Sequence, residues 1–175
     1  MALVILLVEI NCSSNGDTNQ NTSVYLNHAD SVQYVGMNTC KGCHSNIHET
    51  FIHTGMGQSF GMANEQKTAA KFNSHAIVYD KYLDFYYQPI LKNKEIFILE
   101  YRLAGKDTVH KRLEKVNYII GSGMHTNSHL SQTNGYIFQM PLTFYTQKGQ
   151  WDLPPGFENK HNSRFSRTIE LECMS

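Results

Sequence analysis

The chain has 175 residues, 15 basic against 15 acidic side chains, and 41% hydrophobic but only 17% charged residues. That length suits one domain with a core of its own, and that composition excludes a disordered chain. Balanced charge leaves no single-signed field to attract a polyanion, so nucleic acid is not an expected partner.

Ala2 to Val8 is a short apolar stretch that resembles the core of a secretion signal and is too short to span a bilayer. No Lys or Arg precedes it, and Glu9 and Asn11 depart from the small residues expected before a cleavage site. Cys12 follows, then a polar run from Ser13 to Ser23 that has too little apolar surface to fold. An apolar run, a cysteine and a polar tether resemble the start of a bacterial lipoprotein, with Cys12 acylated and the chain attached to a membrane through it. An unmodified thiol in a frayed terminus is the alternative. Residues 1–11 are thus a candidate signal segment, 12–31 a tether, and 32–175 the folded domain.

A helix is expected from Lys41 to Phe51, with Ile47 and Phe51 four residues apart on one face. Gly55, Gly57 and Gly61 interrupt it, and a second short helix is expected from Asn64 to Lys71. Strand-like segments follow at 75–79, 84–88, 95–101 and 109–118, broken at Asn93 and at Gly105 to Asp107. Gly135 to Met140 is a further strand, closed by Pro141 or continued beyond it by Leu142 to Tyr145. Trp151 to Gly156 carries two prolines and is expected to be irregular.

The chemistry concentrates in Cys40-Lys41-Gly42-Cys43-His44. Two cysteines at this spacing can add to the two vinyl groups of one haem, and a histidine directly after the second reaches the iron. A redox dithiol or half of a zinc site also uses C-x-x-C, but neither requires His44 directly after Cys43, and the chain has no second C-x-x-C pair. His44 is then the proximal ligand. His48, one helical turn on, lies on the same side and cannot reach around the ring. Met56, in His53-Thr54-Gly55-Met56-Gly57, leads the candidates for the distal position, with His53, His125 and His75 as alternatives and His129 more distant. The competing reading makes Met56 a packing residue and the histidines polar surface.

From Tyr34 onward the residues resemble a bacterial family of multihaem c-type cytochromes related to the cytochrome c-554 type domain. The likeness is carried by Tyr34-Val35-Gly36, Thr39 to His44, Phe51, Thr54 to Ser59, Ile120 to Gly123, Asn134 to Tyr136, Gln139 to Leu142 and Trp151 to Gly156. In such proteins a segment like Arg164 to Arg167 leads to a second C-x-x-C-H. Here Cys173-Met174-Ser175 stands where that motif would begin, so Cys173 is expected to be half of a truncated second haem site and the domain incomplete at its C-terminus.

The fold expected is α+β, with short helices around a covalently bound haem followed by an antiparallel β meander. The function expected is electron transfer through haem c to redox partner proteins, on the periplasmic or outer cell surface, as a carrier rather than a catalyst. The alternative is a haem enzyme or small-ligand sensor with an open distal iron position, such as a reductase of small nitrogen compounds. A third reading is an interaction module in which haem is structural.

Overall fold

The structure is a computed structural model and describes residues 31–33, 35–73 and 75–170. The signal segment, nearly all of the tether with Cys12, and the half-motif at Cys173 lie outside the described residues.

Among the described residues two short helices come first, α1 (Met37–Cys43) and α2 (Ser45–Phe51). Ten strands follow: β1 (Phe60–Met62), β2 (Val78–Asp80), β3 (Phe85–Lys92), β4 (Glu95–Ala104), β5 (Asp107–Lys115), β6 (Tyr118–Ile120), β7 (Thr126–Thr133), β8 (Tyr136–Tyr145), β9 (Gln150–Asp152) and β10 (Arg167–Thr168). They form two antiparallel sheets. One has the order β1-β6-β7-β8-β10, with β9 also pairing β8, and the other has the order β2-β3-β4-β5.

Turn chemistry sets the hairpins. Asn93 and Lys94 both adopt positive φ (52° and 65°) between β3 and β4, and Asn134 and Gly135 do so (52° and 82°) between β7 and β8. Two consecutive left-handed residues match the twist of the flanking strands, and Asn and Gly tolerate that conformation best. Period-2 alternation then chooses the inner face. Phe85, Tyr87 and Pro89 on β3, and Ile96, Ile98 and Glu100 on β4, are buried while their neighbours are not. Pro89 is tolerated because β2 pairs only with Phe85 to Tyr87, so no strand on that side needs its missing N–H.

The core lies between the sheets. Tyr87, Ile96 and Ile98 from one meet Ile119, Met140, Leu142, Phe144 and Trp151 from the other, with Phe165 from the C-terminal segment. Fully burying each such side chain contributes about 1.5–3 kcal/mol. A polar cluster ties the C-terminal segment to β4. The fully buried carboxylate of Glu100 accepts from Arg164 Nε at 2.8 Å, from a second Arg164 nitrogen, and from His110 Nε2 at 2.9 Å. Burial alone would raise the Glu100 carboxyl, but the hydrogen bonds from Arg164 and His110 outweigh it and hold the group below its ordinary range. Asn162, also buried, donates to Asp80 Oδ2 at 2.8 Å and to the Tyr87 hydroxyl at 3.2 Å.

The expected α+β fold, with helices around a haem and a meander after them, is overturned. Strand takes 43% of the described residues and helix 10%, so the described part is mostly β. The reason is apolar content: neither α1 nor α2 has a single buried residue, and the whole core is built from strands and loops. The helix expected over 41–51 starts earlier, at Met37, and is broken at His44. The helix expected over 64–71 is absent. Asn64 Oδ1 instead accepts from the backbone of Gln66 and Lys67, both at 2.9 Å, and closes a local turn.

Candidate functional site

Gly36 starts α1 with a φ of 79°, and Thr39 Oγ1 donates to Val35 O at 3.0 Å, fixing the first turn. At His44 the backbone departs from helical geometry (φ −119°, ψ 44°), which separates α1 from α2. The hydrogen-bond ladder still passes through the break, since His44 N donates to Cys40 O and His48 N to His44 O, each at 2.9 Å. Cys40, His44 and His48 therefore follow one another along one side of the helix pair.

That side forms a groove of about 300 Å³ lined by Met37, Cys40, His44, Ile47, His48 and Phe51. A shallower cleft of about 240 Å³, lined by Cys43, His44, Ser45, Asn46 and Ile47, opens beside it. His44 and Ile47 belong to both walls. Cys40 and Cys43 are exposed free thiols. Ile47 is 66% exposed and Met37 42%, an unusual degree for large apolar side chains on so small a feature. His48 Nδ1 is buried and has no hydrogen-bond partner among the described residues. An apolar groove with the Cys40 thiol on its wall, Cys43 in the adjoining cleft, an exposed imidazole and an unpaired ring nitrogen could hold a flat apolar macrocycle.

The candidates for the distal position lie elsewhere. After α2 the Thr54 hydroxyl donates to Phe51 O at 2.7 Å and accepts from Gly57 N at 3.0 Å. A Cβ at Gly57 would stand 2.1 Å from Phe51 O, so only glycine permits this turn. The turn carries Met56, 76% exposed, back past the end of α2. His53 is exposed and stands 3.9 Å from Glu49 Oε1. His125 is exposed, and its Nδ1 accepts from Gln147 Nε2 at 2.8 Å. His75 is exposed and lines a separate cleft with Lys71, Asn73 and Trp151. None of these side chains lines the groove beside Cys40.

His129 is wholly buried on β7. Its Nδ1 donates to Leu142 O at 3.0 Å, and its ring packs on Trp151 with centroids 5.0 Å apart. Because a carbonyl only accepts, Nδ1 carries the proton and Nε2 is a bare lone pair, buried without a partner. Burial pushes this imidazole down to about 4, against the weaker upward pull of the Leu142 hydrogen bond. It serves the core. The groove residue that sequence reasoning set aside is His48. Its four-residue spacing from His44 correctly implied a shared side, yet it gave no sign that the side is a groove wall.

Among the described residues no three His, Cys, Asp or Glu side chains gather to hold a metal ion. Nor is any described helix long and apolar enough to cross a membrane. No protein-family model matches the chain, and no curated protein or solved structure is similar to it.

Proposed function

We propose that this chain is an electron-transfer cytochrome module carrying one haem c at Cys40, Cys43 and His44, within a multihaem protein. The observation that carries the reading is the apolar groove flanking Cys40 and His44, which exposes Met37 and Ile47 where an unoccupied surface would be polar. Covalently held haem supplies reversible one-electron chemistry at its iron. Cys40 and Cys43 would tether the macrocycle through thioether bonds, and His44 would offer a ring nitrogen to the metal. Met37, Ile47 and Phe51 would keep water from a macrocycle held at Cys40 and Cys43, which would raise the cost of charge there and tune its potential. Met56 is the proposed sixth ligand. Haem attachment of this type requires export, so the module works on the periplasmic or outer cell surface, with Cys12 as its lipid anchor, and passes electrons to redox proteins.

A second reading, an open iron that binds or reduces a small ligand, draws on the observation that no distal candidate lines the groove. Reduced-minus-oxidised spectra with and without carbon monoxide separate the two. A large rapid shift rejects the closed-iron carrier. Exported protein should retain haem stain through denaturing electrophoresis, and Cys40→Ala and Cys43→Ala together should lose it. Retention in that double variant rejects the attachment site. Met56→Ala should abolish the near-infrared methionine-to-iron band of the oxidised protein. An unchanged band and potential reject Met56.

A further inference from the structure

The four-stranded sheet turns a second face outward, and three tyrosines cross it in register. Tyr79 on β2 stands opposite Tyr86 on β3, and Tyr86 stands opposite Tyr101 on β4. Their rings are stacked, with centroids 4.5 Å and 5.1 Å apart and interplanar angles of 26° and 15°. Such pairs stabilise a sheet. They also bring three oxidisable rings into direct contact.

The outer member of the stack has a further partner. Tyr79 is 48% exposed, and its hydroxyl donates to Asp84 Oδ1 at 2.9 Å. Asp84 is held at the turn before β3 with a φ of 56°, and its other carboxylate oxygen lies 3.8 Å from Arg102 Nε. Arg102 is itself fixed by donating to the backbone carbonyl of Asp84 at 3.1 Å. The proton acceptor is therefore preset.

We propose that Tyr79 is a site of proton-coupled one-electron oxidation, served by Asp84 as proton acceptor and by Tyr86 and Tyr101 as a stacked extension of the ring. An outer-sphere one-electron oxidant takes one electron from the Tyr79 ring. At the same time the phenolic O–H bond breaks and the proton moves along the hydrogen bond to the Asp84 carboxylate. The products are a neutral tyrosyl radical, a neutral carboxylic acid and the oxidant reduced by one electron. At rest the phenol keeps its proton: the Asp84 hydrogen bond, then partial burial, then the charges of Asp84, Tyr86 and Asp80 hold it above its ordinary range. Oxidation without a base would produce a costly cation radical, so the carboxylate sets which tyrosine reacts.

Four other described phenols lack this arrangement. Tyr82 and Tyr118 meet the amide oxygens of Asn159 and Gln132, and Tyr145 meets the carbonyl of Leu153. Amide oxygens accept hydrogen bonds but are poor bases. Tyr87 does hydrogen-bond to Glu100, but its ring is fully buried and that carboxylate also accepts from Arg164 and His110, which makes it a weaker base. This proposal does not rest on the haem reading.

The test is flash oxidation of the purified full chain by photogenerated tris(bipyridine)ruthenium(III), following the tyrosyl radical by transient absorbance and freeze-quench electron paramagnetic resonance. A fast phase is expected in the unaltered protein, slowed in D₂O. Asp84→Asn, which suits the positive φ, should slow it by about a hundredfold, the scale of a positioned base. Tyr79→Phe should remove it, and Tyr82→Phe should retain it. A fast phase that persists in Tyr79→Phe, or equal rates with and without the Asp84 carboxylate, overturns the proposal. Equal rates in H₂O and D₂O for the unaltered protein overturn it without any variant.

Discussion

Acidification should drain stability through one side chain, His129. In the folded chain its imidazole stays neutral down to about 4 because burial penalises the charged form, whereas the unfolded chain takes up the proton near 6.5. A depressed histidine is neutral in both states above 6.5 and contributes nothing there to the pH dependence. Between 6.5 and about 4 only the unfolded state is protonated, so stability falls with pH across that window. At about 1.4 kcal/mol for each tenfold in proton activity, the loss is about 3 kcal/mol, a large share of the 5–15 kcal/mol typical of a domain. Urea unfolding at pH 7, 6, 5 and 4 measures it. The carboxylates also titrate in this range, so the comparison is with His129→Leu, which keeps an apolar side chain beside Trp151. The variant forfeits the Leu142 hydrogen bond equally at every pH. The stability difference between wild type and variant should therefore shrink by about 3 kcal/mol from pH 7 to pH 4. A difference that stays constant would refute the claim that a neutral His129 is buried in the native core.

Other perturbations follow the same contacts. Glu100→Gln leaves Arg164 facing a neutral amide and should cost about 3–5 kcal/mol, measured as a lower urea midpoint with unchanged slope. Gly121→Ala puts a Cβ 2.2 Å from Thr126 O at a φ of 103° and should cost about 1–3 kcal/mol by thermal unfolding. Ile98→Ala in the shared core should cost about 2–5 kcal/mol by the same measurement. Ile47→Ala, by contrast, should leave the melting temperature of the haem-free chain within error, because Ile47 is exposed there.

The hairpins were the most legible part of the sequence. Asn93 and the aromatic, β-branched runs on either side of it mark β3 and β4, because left-handed turn residues and period-2 burial both leave local traces. β7 left none: Thr126 to Thr133 is mostly polar, and it buries Asn127, His129 and Ser131, the first of which is inside because hydrogen bonds with other segments satisfy it. Asn127 shows this well, since its side chain accepts from Ala69 N at 2.7 Å and donates to Gly121 O at 3.1 Å. β1 was hidden by its glycine, which looked like a break and is an edge strand facing β6. At the candidate site, C-x-x-C-H was plain at a glance. The groove beside it was not, because a wall made by Met37, Ile47 and Phe51 across a broken helix depends on the kink at His44, which no residue preference foretells.

The lack of any buried residue in α1 or α2 has a consequence for how the molecule is assembled. The sheets owe nothing to the helix pair, so they can reach their native packing while residues 37–51 still lie open. An enzyme that joins a prosthetic group to Cys40 and Cys43 would then meet a finished β body with a short accessible handle. On the proposed reading, maturation and folding would be separable events, and the helix pair could be exchanged for another segment of similar length without rebuilding the body that displays it.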